Sequence, residues 1–132
     1  MNRFVILLIS LMSCASLHAI DYKNLLEEPP ASDSPAGAFV FFQKAAAKGD
    51  LERMYELSTG TVYRVIKESE ESRANFIERA KDIDWKKPIE WAQKVEGDTA
   101  KVAFRYRLVS NGRRSGHTVD FSKVDGKWKY GK

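Results

Sequence analysis

His117 is the side chain best suited to proton chemistry in this 132-residue chain. Imidazole changes charge near neutral pH, so it can take or give a proton where most side chains are fixed. The residues around it alternate: His117, Val119 and Phe121 fall on one side, Thr118, Asp120 and Ser122 on the other. That spacing places His117 on the apolar face of a strand. Tyr106 and Tyr130 point to the same face, while Tyr55 and Tyr63 fall on helical stripes. General acid–base catalysis needs a second titratable group within reach. Asp120, the nearest acid in sequence, points the other way. An acid–base pair is therefore not evident, and His117 and Tyr106 are catalytic candidates only. The favoured reading is a ring at the mouth of a strand, near the Asn111-Gly112 turn, exposed or satisfied by a neighbour.

Other chemistries lack their residues. There is no glycine-rich phosphate loop and no serine in a nucleophile elbow. The single cysteine, Cys14, excludes an intramolecular disulfide and a multi-cysteine zinc site. Neither a metal nor a cofactor is expected. Trp85, Trp91 and Trp128 read as core and rim aromatics rather than stacking platforms for bases.

Charge is unevenly spread. Residues 20–84 carry nine Lys/Arg and thirteen Asp/Glu, whereas residues 85–132 carry twelve and five, within a net charge of +4. Lys101, Arg105 and Arg107 share the polar face of one strand, and Arg113-Arg114 sit beside a turn. A basic sheet face of this kind could dock an anionic partner: envelope polymer, lipid headgroups or an acidic protein. The competing reading is a solvated face whose charges keep a sheet edge from pairing.

The first nineteen residues have the anatomy of a secretory signal peptide. Met1-Asn2-Arg3 supplies one positive charge, Phe4 to Met12 is uninterrupted and apolar, and small residues follow up to Ala19. Cleavage after Ala19 would release a soluble exported protein. The run Leu11-Met12-Ser13-Cys14 offers an alternative, a lipobox in which Cys14 is lipidated and anchors the chain to a membrane. Soluble export, to the periplasm, is the favoured reading, and export argues against nucleic acid as a partner.

The elements that must position these residues are legible from period and punctuation. With two prolines and small polar residues, 20–34 reads as a linker. Ser34-Pro35 caps a helix from Ala36 to Lys48, which Gly49 ends. Asp50 caps a second short helix, Leu51 to Leu57. A third is expected from Thr61 to about Ile83, with a kink or loop in its polar middle, Glu68 to Ser72. From Lys87 the period becomes two. Four strands follow, separated by turns at Gly97-Asp98, Asn111-Gly112 and Asp125-Gly126. Short turns make the strands an antiparallel meander. The expectation is one α+β domain over 35–132, N-terminal helices packed on a curved four-stranded sheet.

The order of these motifs carries a resemblance: Phe-Phe in a helix, Lys-Gly-Asp, Tyr-Glu-Leu-Ser, then Val-Glu-Gly-Asp-Thr-Ala-Lys-Val and a late Lys-Val-Asp-Gly-Lys-Trp-Lys. It resembles the exported bacterial proteins of the nuclear-transport-factor-2-like superfamily, in particular the domain of unknown function 4878 group, from about Ser34 to Tyr130. That resemblance implies a cone, a curved sheet wrapped around helices with a cavity at its open end. It also implies a strand between helices, which is not legible here. In such a cavity Trp91, Phe104, Tyr106, His117 and Phe121 would meet a ligand. The resulting expectation is an exported noncatalytic domain, monomer or homodimer. It would bind a small molecule in the cavity, or an acidic envelope or protein partner on the basic face. The alternative is a cone-type isomerase, dehydratase or hydrolase using His117 with a tyrosine.

Overall fold

The computed structural model describes residues 21–132. The expected leader, the expected cleavage after Ala19 and Cys14 lie outside the described residues. The chain builds β1 (Lys23–Asn24), then four helices, α1 (Pro35–Lys48), α2 (Leu51–Glu56), α3 (Gly60–Glu68) and α4 (Glu70–Lys81). Four strands follow, β2 (Glu90–Glu96), β3 (Thr99–Arg107), β4 (Arg114–Val124) and β5 (Lys127–Tyr130). All five strands form one antiparallel sheet in sequence order. The α+β class and the order of helices before meander agree with the sequence reading. The strand count is corrected from four to five.

The extra strand comes from the stretch read as a linker. Lys23 and Asn24 pair with Trp91 and Glu90 at the sheet edge. The Trp91 Nε1–H donates to the Glu28 carbonyl at 2.8 Å, and Leu25 packs on the core. Two residues are too few to show a period of two, so no alternation could announce this strand.

Local chemistry explains the helix ends. Ser34 accepts from the Gly37 N–H at 3.1 Å with Pro35 at the first helical position, and Gly49 closes α1 in the left-handed region at φ 70°. Asp50 caps α2 by accepting from Arg53 N–H. The third expected helix is two. Ser69 adopts an extended conformation, ends α3 and caps α4 by accepting from Ser72 N–H at 3.2 Å. The break falls inside the polar stretch where the sequence marks a kink or loop.

Sheet register sorts the side chains into rows. Trp91, Phe104 and His117 stand side by side across β2, β3 and β4; the next rows are Gln93–Val102–Val119 and Val95–Ala100–Phe121, with Tyr130 of β5 beside Phe121. Helix α1 covers this face. Its Phe39 meets Phe104, Phe121 and Tyr130 edge-on, at centroid distances of 5.2, 5.9 and 5.4 Å. On its other side, Phe42, Ala45 and Ala46 form a second cluster with Met54, Ile66 and Ala80. One helix thus sits between the sheet and the other helices, which is why it is buried nearly all round. Between α2 and α3 lies a single parallel bridge, Ser58 to Tyr130, held by Thr59 N–H to the Tyr130 carbonyl and Tyr130 N–H to the Leu57 carbonyl.

Candidate functional site

Tyr106 and His117 come together because of register. Tyr106 of β3 faces Ser115 of β4, so His117, two residues further on, is its diagonal neighbour on the same face. The Tyr106 hydroxyl and His117 Nε2 are 2.6 Å apart. A neutral ring protonated at Nδ1 accepts a hydrogen bond from the phenol O–H at Nε2. His117 is thus half-buried and hydrogen-bonded.

Both groups open onto a cavity of about 80 Å³ between the helices and the sheet. Gln43 of α1 and Arg79 of α4 line it from above, with Tyr106, His117 and Tyr130 below. Phe76 and Ile83 close its apolar side. Gln43 is 8% exposed, and among the described residues no hydrogen bond reaches its amide. Its amide is not desolvated but faces the cavity space, where it can meet something that enters.

The cavity sets the protonation of its walls. Burial pushes the His117 pKa below its ordinary 6.5, and the Arg79 guanidinium pushes it further down. The ring is therefore neutral at pH 7. Burial raises Tyr106 and Tyr130 above 10.0, so both stay phenols; the Ser115 hydroxyl and Arg79 oppose that rise at Tyr106, and Arg79 opposes it at Tyr130. Asp82 adds to the rise at Tyr106, but both its carboxylate oxygens are engaged by Ser110, through N–H and Oγ, each at 2.8 Å. Among the described residues no carboxylate lines the cavity.

Of the five residues expected to meet a ligand, Tyr106 and His117 line this cavity. Trp91, Phe104 and Phe121 are buried in the core behind it. Gln43 and Arg79 were not singled out from sequence. Gln43 lies within an apolar run of α1, and a polar residue on a buried stripe was the only available signal. Arg79 looks like an ordinary surface cation of α4 until the helix is laid on the sheet.

The basic residues do lie on the opposite, outer face, but largely in pairs. Lys101 meets Asp120 at 2.9 Å, and Glu90 serves both Arg114 at 3.1 Å and Arg105 at 3.5 Å. The Arg105 guanidinium also lies 3.6 Å from the centre of the Tyr22 ring, with its buried Nε lacking an acceptor. Arg107 donates to the Gly112 carbonyl at 3.3 Å. Arg113 is exposed and makes no ion pair among the described residues. A wider hollow of about 170 Å³ lies along Lys94, Glu96, Lys101 and Asp120, yet these four charges already pair at 3.2 and 2.9 Å. Phe121 and Lys132 line it as well, and Lys132 makes no ion pair among the described residues.

No helix among the described residues is long and apolar enough to cross a membrane. Comparison with protein-family models, with curated proteins and with solved structures gives no match to this chain.

Proposed function

We propose that this protein is an exported, noncatalytic domain that binds a small polar molecule in the cavity under α1 and α4. The observation that carries the reading is the convergence of the Gln43 amide with Tyr106, His117 and Tyr130 on one cavity between helices and sheet. A few convergent polar groups in an apolar shell are the usual build of a small-molecule site. The order of helices before an antiparallel meander supports a cone-like member of the nuclear-transport-factor-2-like superfamily. The leader-like first nineteen residues support export. The outer face is the lesser candidate for an acidic partner, since Lys101, Arg105 and Arg114 are already matched by acids.

Titration of the purified protein with a panel of small polar molecules of up to about six heavy atoms, following the Gln43 side-chain amide and the His117 ring by NMR, tests this reading. Shifts centred on the cavity residues and lost in Gln43→Leu are expected. A panel that moves neither group up to solubility excludes the site.

A second reading rests on the 2.6 Å contact between Tyr106 and His117. In it the neutral ring is a general base and the phenol its relay, as in a cone-type isomerase, dehydratase or hydrolase. No carboxylate stands behind His117 to stabilise the charged ring, which is why binding is preferred.

A further inference from the structure

The polar walls of the cavity are unequal in charge. Gln43, Tyr106, His117 and Tyr130 are neutral, and among the described residues Arg79 at the rim is the one charged lining residue. No acid among the described residues forms an ion pair with Arg79. Asp120 pairs with Lys101 at 2.9 Å and Glu78 lies 3.8 Å from Lys81. Asp82, hydrogen-bonded by Ser110 through both oxygens, keeps its charge, which acts on Tyr106 against that of Arg79, but it makes no ion pair with Arg79. The field of Arg79 nevertheless reaches inward, since it acts on the titration of His117, Tyr106 and Tyr130 alike. An unpaired cation over a carboxylate-free cavity selects for negative charge.

Size and shape narrow the class. About 80 Å³ is too small to enclose a nucleotide or a sugar phosphate, so a molecule held wholly inside is smaller. A single guanidinium compensates one negative charge, not two, which disfavours a phosphate dianion. A planar guanidinium and a planar amide match the two oxygens of a carboxylate, each offering N–H donors. Phe76 and Ile83 supply an apolar wall for a short alkyl group.

We infer that the cavity takes a small aliphatic monocarboxylate, its oxygens on Arg79 and the Gln43 amide and its alkyl end against Phe76 and Ile83. This rests on the reading of the cavity as a ligand site and adds the chemical class. Neutralising Arg79 would remove one of the two influences that hold His117 below 6.5, so the bound protein should show a higher His117 pKa than the free one.

Acetate, propionate, acetamide and inorganic phosphate are the probes, added to the purified protein at constant ionic strength while the His117 ring and Gln43 amide are followed by NMR. Acetate and propionate are expected to saturate with Kd on the order of 1 mM and to raise the His117 pKa. Acetamide is expected to bind at least about tenfold more weakly, and Arg79→Gln to weaken acetate by about tenfold. Arg79 is exposed, so its replacement should leave the thermal midpoint in place. Acetamide binding as well as acetate, or undiminished acetate binding by Arg79→Gln, overturns the anionic class and leaves the polar-ligand site standing. Phosphate binding more tightly than either carboxylate overturns the carboxylate assignment. No shift with any of the four overturns both readings.

Discussion

A histidine held neutral in a folded protein makes stability depend on pH in a defined direction. His117 titrates below 6.5 when folded and at about 6.5 when unfolded. As pH falls below about 6.5 the unfolded chain takes the proton first, so the folded state loses stability down to the folded pKa and then levels off. Above that window the contribution is complete. Denaturant melts between pH 7.5 and 5 should show this decline, and His117→Gln should flatten it; an unchanged slope would mean that another group is responsible. Removing the phenol in Tyr106→Phe leaves Nε2 without its partner and should cost about 1–2 kcal/mol in the same melts. At this scale the sequence showed the face of His117 but not its environment. Alternation places a side chain on one side of a sheet, and the hydrogen bond to Tyr106 follows from a register that alternation alone does not give. Arg79 and Gln43 arrive from helices whose packing angle no local pattern encodes.

Elements that announce themselves by caps were readable almost to the residue. Ser34-Pro35 and Gly49 bound α1, and Asp125-Gly126, both with positive φ at 50° and 76°, turn β4 into β5 as a type I′ hairpin requires. What stayed hidden depended on contacts distant in sequence. β1 exists because β2 offers an edge, and Leu108, which looks like strand by alternation, instead leaves β3 to bridge Ile83. Gly37 shows the same dependence. It lies inside α1, where alanine is ordinarily the better helix former. Yet a methyl group there would collide with the Ala31 backbone carbonyl, because the stretch before the helix folds back over its first turn. Gly37→Ala is therefore expected to destabilise by about 1–3 kcal/mol despite the gain in propensity. A neutral or stabilising result in thermal melts would show that residues 31–32 yield freely.

The molecule as a whole is two apolar clusters joined through one aromatic side chain. Tyr130 packs against both, stacking on Phe121 at 5.4 Å and meeting Phe42 edge-on at 4.9 Å. Truncation in Tyr130→Ala should cost about 3 kcal/mol and enlarge the cavity, and helix and sheet should then melt at separate temperatures. Coincident transitions by far-UV circular dichroism and tryptophan fluorescence would show that the joint lies elsewhere. The parallel bridge from Tyr130 to Leu57 and Thr59 has a temporal meaning as well. A nascent polypeptide is threaded out amino end first, and its helices emerge long before residues 127–130 arrive to dock beside them. Until that last ribbon reaches them, the early coils have no finished surface to lock onto. The helical half of such a chain is sealed only after β5 has been made.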